Sequence, residues 1–505
     1  MKRASDSWGP APTTLKEALA ENSKLRKLVT KLDAHIEKLD AHIEKLDARV
    51  EELERRLGQS SRNSSRPPSS DSPTSGTSRK KPTGRKPGGQ PGHKGHQRKL
   101  LPPEKVDKVE EVWPERCENC DYDLSQEALQ VEVGEAVRHQ VTELPIAPAE
   151  VTEYQLHTQY CSDCGHATAA ALPPGVPTGC FGPRLQGTVA VLSGVYRLSK
   201  RTLKAMLADL FGAQMSLGSI SACEQRTSAA VAAPVAEAHA YVQTQPVANA
   251  DETGWRERRN RAWLWVAVTA QVTVFMIHAQ RGVAAAKKLL GRFAGILGSD
   301  RWCAYAKHLV SKRQLCWAHL RRHFVAFSEY RGTAGEIGSV LLDVTDLMFQ
   351  WWHRVRDGTM ARSTFRKKMG EFRVGFEGML GQGTTCGRPK VDATCREILK
   401  LAPALWTFVR VEGVEPTNNA AERAIRPAVL LRKGSFGTHS EDGSRFVERM
   451  LSVAATLKQQ GRNVVEYVTE ACERALHQRR PRSLLPGGHI MTPHALSLAT
   501  QPPGA

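Results

Sequence analysis

The sequence predicts a multidomain α+β chain: a long N-terminal coiled-coil helix, a small cysteine-bearing β module, a helical domain, and an α/β core interrupted by further helices. Three observations predict it. A heptad repeat fills residues 15–57, two CxxC pairs follow, and Val-rich strand segments ending in acids occur in the second half. A chain of 505 residues exceeds what one hydrophobic core organises, so several domains joined by connecting segments are expected.

The heptad run is explicit. KLDAHIE repeats within residues 31–48, with a positions Leu15, Asn22, Val29, Ile36, Ile43, Val50 and Leu57 and d positions Ala18, Leu25, Leu32, Leu39, Leu46 and Leu53. β-Branched residues at a with Leu at d favour two parallel strands, and one polar a residue, Asn22, fixes register. A homodimer or higher oligomer through this helix is expected; an amphipathic helix docked on the protein's own body is the alternative.

Charge defines the partner class. Lys and Arg outnumber Asp and Glu by 71 to 52, for a formal net charge of +19, which calls for a polyanion: nucleic acid or an acidic membrane surface. Apolar runs such as 262–270 fall short of the roughly 18 residues that span a bilayer, and residues 1–10 lack a signal-peptide core, so no membrane and a cytoplasmic location are expected. Residues 58–100 lose all periodicity and fill with Ser, Pro, Gly, Lys and Arg, as a disordered basic linker does. Within it, 79–99 carries eight Lys or Arg and no acid, among them Arg79, Lys80, Lys81, Arg85, Lys86 and Lys94. Gly and Pro forbid a helix there, and such a segment follows a phosphate backbone by counterion release.

The eleven cysteines are an odd number scattered over a long chain, which disfavours a disulfide framework. Cys117-x-x-Cys120 and Cys161-x-x-Cys164 supply four thiolates for one structural Zn²⁺, with residues 131–159 alternating like two or three strands that bring the second knuckle back to the first. His157 and His166 are substitute ligands. In 182–234, Ser199 caps a helix at 200–211, Gly212 ends it, and Ser216 or Ser219 caps the next. A helix-turn-helix and plain helical packing both fit that pattern.

Residues 247–251 form a short apolar strand ending at Asp251, followed by strands at 262–270 and 272–278, a helix at 283–293, a strand at 296–299 ending at Asp300, and a strand at 314–317 before a long helical stretch. This order matches a ribonuclease-H-like core, in which acids at neighbouring strand ends face each other. Paired carboxylates suit two divalent ions that activate the attacking oxygen and stabilise the leaving oxygen of an in-line displacement. Trp351 and Trp352 in the helical stretch 340–380 either stack on an unpaired base or fill a helical core.

GGQPGHKG at 88–95, DETGW at 251–255, GSDRWCAY at 298–305, CWAHLRR at 316–322 and NNAAERAIRP at 418–427 together resemble the transposases of the insertion sequence 66 family, over the chain from the coiled coil to about residue 476. The resemblance implies a DDE transposase with Asp251, Asp300 and Glu422 as the first, second and third acids. It implies Mg²⁺ or Mn²⁺, two per site, and a helical insertion between the second and third acids. Implied partners are the inverted repeats of the element, target DNA and two small accessory proteins, in the bacterial nucleoid. Arg321, Arg322, Arg423 and Arg426 would hold phosphates. Arg432-Lys433-Gly434 departs from the family's usual RKN.

Glu415 competes with Glu422 for the third position. Pro416 and Thr417 start a helix that Pro427 ends; on it Asn419, Glu422, Arg423 and Arg426 form a polar stripe opposite Ala420, Ala421, Ala424 and Ile425. Glu415 falls before it, on a mobile loop, while Glu422 at i−4 from Arg426 is in reach of a plain surface ion pair. The expected domains are therefore a coiled coil at 15–57, the linker at 58–100, a zinc-binding module at 101–180, a helical domain at 181–240, a catalytic core at 241–325 and 415–478 around a helical insertion at 326–414, and a disordered tail at 479–505. A ribonuclease-H-like nuclease or resolvase, and a non-enzymatic zinc-dependent DNA-binding regulator, are the rival readings.

Overall fold

The computed structural model describes residues 14–64, 71, 100–124, 136–144 and 147–488. Two compact units are present: a larger one, Met1–Ser75, Leu156–Leu203 and Ser216–Ala505, and a smaller one, Gly76–Gln155 and Lys204–Met215. Among the described residues no helix is long and apolar enough to cross a membrane. The basic run 79–99 lies outside the described residues, as do Arg79, Lys80, Lys81, Arg85, Lys86 and Lys94.

Helix α1 (Leu15–Leu57) begins at Thr14, whose side chain and that of Glu17 form a reciprocal capping box. Its heptad residues from Leu25 to Leu53 are between 41 and 58% exposed, so the apolar stripe is not spent on the protein's own body. Near its C-terminal end the helix meets the rest of the larger unit, to which it belongs: Arg388 pairs with Glu51 at 2.8 Å.

Of residues 131–159, expected to alternate as strands between the knuckles, 131–135 and 145–146 lie outside the described residues, and among the rest only 158–159 belong to a strand. Among the described ones, 136–157 hold no strand, and Val137, Val141, Leu144 and Val151 are all exposed. With nothing packed against its apolar residues, alternation alone forms no sheet. β1 (Thr158–Tyr160) and β2 (Ala167–Ala169) pair around the second knuckle, and a single bridge between Arg116 and Asp123 closes the first.

Helices α2 (Pro183–Gly194), α3 (Lys200–Phe211), α4 (Leu217–Ala230) and α5 (Ala232–Thr244) follow. Ser199 accepts from Thr202 N–H at 3.1 Å, Gly212 closes α3 at φ 65°, and Ser216, not Ser219, caps α4. Instead of forming a core of their own, α2 and α5 contribute Val191, Val235, Ala238 and Val242 to the core of the sheet that follows.

That sheet contains β3 (Val247–Glu257), β4 (Asn260–Val268), β5 (Thr273–His278), β6 (Ile296–Ser299) and β7 (Arg313–Leu315), in the order β5-β4-β3-β6-β7. β3, β4 and β5 are an antiparallel meander, and β6 and β7 run parallel to β3. Helix α6 (Val283–Leu290) makes the crossover between β5 and β6 and stops at Gly291, three residues short of the expected end. β3 runs six residues past Asp251, because DETGWRE pairs residue by residue with 260–266. Asp251 therefore sits within a strand rather than at its end.

Helices α7 (Trp317–Ser328), α8 (Thr333–Arg356), α9 (Arg362–Gln382), α10 (Pro389–Lys400) and α11 (Thr407–Arg410) build a second core around Trp317, Phe324, Phe376 and Phe408. Trp352 is 5% exposed in this core, and Trp351 packs on Phe372, so both serve helical packing. The chain then returns to the sheet with α12 (Asn419–Ser435), α13 (Glu441–Gln459) and α14 (Val464–Leu476). The expected disordered tail is ordered as far as 488: Leu484 and Leu485 are buried, and Arg482 C=O accepts from Tyr467 Oη at 2.6 Å.

Helix α13 closes the β5 edge. Thr456 and Ser452 hydroxyls accept from the N–H groups of Thr273 and Phe275 at 3.0 and 2.9 Å, and Glu448 accepts from Ile277 N–H. Four helical residues rise about 6 Å and two strand residues about 6.6 Å, so one helical stripe matches every second N–H of an edge strand. Burial pushes Glu448 up to about 7, against the pull of Arg445 at 3.0 Å. An acid whose folded pKa lies above its unfolded value gives stability that is fully present below the unfolded value and lost as pH rises through the folded one. Over that window wild type should lose about 3 kcal/mol that Glu448→Gln, which keeps the acceptor, does not lose. Urea unfolding of both proteins at acid and alkaline pH checks this; parallel pH profiles would refute it.

Candidate active site

Strand register brings the acids together. Val247, Ala248 and Asn249 of β3 lie opposite Ile296, Leu297 and Gly298 of β6, so two steps further Asp300 falls beside Asp251. Neighbouring strands are about 4.8 Å apart. At Gly298 a Cβ would meet the Asn249 side-chain oxygen, so the glycine leaves room for that side chain between the strands. Ser299 in turn lies opposite Leu315, which puts Cys316 next to Asp300, and Cys316 N–H donates to Ser299 C=O at 2.9 Å. Asp300 is held in place by Trp302 N–H, which donates to its Oδ1 at 2.8 Å.

The third acid arrives on α12. Asn418, fully buried just before the helix, donates from Nδ2 to Ala250 C=O at 3.3 Å and from its backbone N–H to Cys316 Sγ at 3.4 Å. This pins the helix start between β3 and the beginning of α7, with Glu422 one turn on. Ala421, Ile425 and Ala428 bury the inner face. The helix does not end at Pro427 but runs to Ser435. Pro427 lacks only the N–H that would bond to the Arg423 carbonyl, and both residues are exposed, so water can serve that carbonyl while the buried face continues to pack. At the far end Arg432 reaches Gly254 C=O and Thr253 Oγ1, fastening α12 along β3.

The electrostatics register the convergence. The Asp251 carboxyl is raised well above the ordinary aspartate range, first by burial and then by the like charges of Glu252, Asp300 and Glu422. Glu422 Oε1, Asn418 Oδ1 and His319 Nδ1 are buried polar atoms with no hydrogen bond among the described residues. His319 Nδ1 stands 3.5 Å from Glu422 Oε1, and Arg322 Nη2 is 3.8 Å from Glu422 Oε2. Crowded carboxylates and an orphaned carboxylate oxygen are a donor set that fits a hard divalent cation. Cys316, His319 and Glu422 also offer ligand atoms within 4.8 Å of one another. Burial pushes the Cys316 thiol up to about 12, which leaves it a neutral acceptor for Asn418 N–H rather than a ligand for a hard ion.

Glu415 has another occupation: its Oε2 accepts from Trp352 Nε1 at 3.0 Å, on the side of the helical core. Arg321 is likewise engaged, forming a two-pronged pair with Asp346 at 2.6 and 2.8 Å, whereas Arg423 and Arg426 are exposed on α12. Sequence reasoning missed His319, Asn418 and Glu252. The first two stand inside quoted motifs, with Cys316 and His319 three apart at a helix start and so on one face. Glu252 points away from Asp251 by strand alternation, accepting from Tyr305 Oη at 2.6 Å and pairing with Arg281 at 3.0 Å. Arg281 in turn lies between Trp302 and Trp263, at 4.1 and 4.7 Å from their ring centroids.

The two knuckles, each taken by itself, share one backbone design. The N–H of Cys117 donates to Tyr122 C=O and that of Asp121 to Cys117 C=O; Cys161 to His166 and Gly165 to Cys161 repeat it, all four at 2.9 Å. Asp121 and Gly165 are left-handed, at φ 57° and 68°. Backbone N–H groups directed at the sulfur lower the thiol pKa of both Cys117 and Cys161, favouring the thiolate that binds metal.

A mixed sheet with acids gathered from a strand, a strand end and a helix defines a mixed α+β protein with a polycarboxylate site. The chain belongs to the IS66 transposase family, whose model matches residues 178–445. A family of unknown function, DUF6444, matches residues 9–99. The uncharacterized protein y4qI of Sinorhizobium fredii is 24% identical over 244 residues, 43% of this chain and 44% of that protein, so the chain spans less than half the length of this relative.

Because burial and then like charges raise Asp251, its ionisation costs stability as pH rises, and Asp251→Asn removes that cost. In chelator the variant should melt higher than wild type, by a margin that widens toward alkaline pH. Added Mg²⁺ should raise the wild-type melting temperature and leave the variant unchanged; equal responses in calorimetry would count against a cation site here.

Proposed function

We propose that this chain is a DDE transposase of an insertion sequence, which binds the terminal inverted repeats of its element and cleaves and rejoins DNA. The observation that carries this reading is the convergence of Asp251, Asp300 and Glu422 from β3, β6 and α12, together with the raised Asp251 carboxyl. The strand order, with the meander first and the parallel strands on its other flank, supports a ribonuclease-H-like core.

Two divalent ions, Mg²⁺ or Mn²⁺, held by these acids would activate the attacking oxygen and stabilise the leaving oxygen of an in-line displacement. The chain's residues set the geometry. β3 and β6 fix two carboxylates side by side, Trp302 N–H orients Asp300, and Asn418 sets the turn from which Glu422 projects. Arg322 beside Glu422 and the exposed Arg423 and Arg426 hold backbone phosphates, which Arg reads in bidentate fashion. The attacking group is water in the first step and the liberated DNA 3′-hydroxyl in the second, with no covalent protein–DNA intermediate. The basic run 79–99 adds affinity without sequence preference. The element's small accessory proteins and target DNA complete the set of partners, within the bacterial nucleoid.

Cys117, Cys120, Cys161 and Cys164 supply one structural zinc, a reading their matching knuckles support, and the exposed stripe of α1 pairs with a second copy. Native mass spectrometry of the whole chain should show a dimer with about one zinc per chain. Leu39→Pro should give monomers that keep zinc, and Cys117→Ser with Cys164→Ser should give dimers without it. A zinc-free wild type, or one monomeric at every concentration, refutes the corresponding assignment.

On a donor-end DNA substrate with Mg²⁺, Glu422→Gln should lower cleavage and strand joining by several orders of magnitude while DNA binding persists. Glu415→Gln should stay active and lose about 1 kcal/mol of stability with the weakened Trp352 contact. An active Glu422→Gln overturns the third-acid assignment. Cleavage without strand joining would make the protein a nuclease, and indifference to all three acids a DNA-binding regulator.

A further inference from the structure

Past Asp251, β3 and β4 continue as a hairpin whose sequence, Trp255-Arg-Glu-Arg-Arg-Asn-Arg-Ala262, is crowded with arginine. Glu257 pairs with Asn260, leaving Arg258 and Arg259 as a two-residue turn. Arg256, Arg258, Arg259 and Arg261 are all exposed, and among the described residues none has an ion pair or a side-chain hydrogen bond. The acid within the run, Glu257, is taken by the Ser444 hydroxyl.

Two features of this hairpin work against folding. Arg256 stands directly opposite Arg261 in the register, and like charges so placed repel. Arg258 has φ 54°, at the first central turn position, where glycine is free and an L side chain is strained. The surroundings enforce the shape. Arg258 N–H donates to Thr438 C=O at 2.7 Å, Thr438 N–H to Arg256 C=O at 2.9 Å, and Trp255 Nε1 to Thr438 Oγ1 at 3.2 Å. Gly437, at φ 114°, allows this approach, since a Cβ there would overlap the Arg256 carbonyl oxygen. A rigid arm that keeps four unpaired positive charges despite repulsion and strain fits a polyanion.

We infer that the β3–β4 hairpin is a phosphate-binding arm, with Arg256, Arg258, Arg259 and Arg261 contacting the backbone of DNA flanking the acids. This rests on the transposase reading for the identity of the polyanion. Arg256 lies five residues beyond Asp251. That is roughly 16 Å of strand, or about five nucleotides of a DNA strand, so the contacts fall beside the cleavage position rather than on it.

The test is binding of the full chain to a random-sequence DNA duplex, followed by fluorescence anisotropy across a salt series. Replacing all four arginines by Gln should flatten the slope of log K against log salt by about three to four, each neutralised phosphate contributing about 0.9. Arg258→Gly alone should flatten it by about one and raise the melting temperature, because it removes a charge and the strain together. That single variant decides the matter if the fourfold one fails to fold. An unchanged slope in either variant overturns the arm, as does an unchanged slope with an altered oligomer, which would make the hairpin a protein contact. Both leave the transposase reading intact, provided that the acids remain essential for cleavage. A wild-type chain with no salt-dependent DNA binding overturns both readings.

Discussion

Asp251 is half-buried beside Glu252, Asp300 and Glu422, where each charge works against the others, and the rest of the larger unit is arranged around holding it there. The parallel register of β3 and β6 fixes the two aspartates side by side, with Gly298 leaving room for the Asn249 side chain between the strands. Each of the three acids around Asp251 then has its own tether: Trp302 N–H on Asp300, Tyr305 and Arg281 on Glu252, and the buried Asn418 at the root of the turn bearing Glu422. Repulsion of this kind is tolerable only on a frame whose stability comes from elsewhere.

That frame consists of two apolar cores. One lies about the sheet, with α2, α5, α13 and α14 contributing; the other lies among α7–α11, rich in aromatic side chains around Trp317. Trp317 links the two parts of the site, since its backbone N–H donates to Pro416 C=O at 2.9 Å and its indole to Leu405 C=O at 2.9 Å. The segment 415–418 is therefore gripped from both sides: Glu415 by Trp352 and Asn418 by Ala250. Helical residues between the second and third acids are thus part of what positions Glu422, not a detachable ornament.

Much of this was legible in the sequence, for reasons of local chemistry. The heptads marked α1 to its end residues, Ser199 and Gly212 marked α3, and runs of β-branched residues marked the strands of the sheet. What failed to show were features decided by distant partners. β3 outruns Asp251 because 260–266 is there to pair with it, and α12 outruns Pro427 because its inner face has a sheet to pack on. The alternation at 136–157 looked like strands, but its apolar residues stay exposed, and 479–488 looked like a tail although Leu484 and Leu485 are buried in the core. In the site, the strand-end expectation holds for Asp300 but not for Asp251, which lies inside β3, and Glu422 rested on the family resemblance. Asn418 was not legible, because a buried amide is recognised only once the carbonyl it serves is known.

The separation of Asp300 from Glu422 along the chain has a consequence in the time order of synthesis. β3 and β6 are close in sequence, and their two aspartates can meet as soon as the sheet forms. Glu422 must wait until the whole helical stretch α7–α11 has been made, because the loop that aims it is held by that stretch. Domains assemble from the N-terminus as they are synthesised, at about 5–20 residues per second. A nascent or prematurely terminated chain therefore carries its two aspartates for some time without the third acid. The full set of carboxylates comes into being only after α7–α11 have been made, since α12 follows them in the chain.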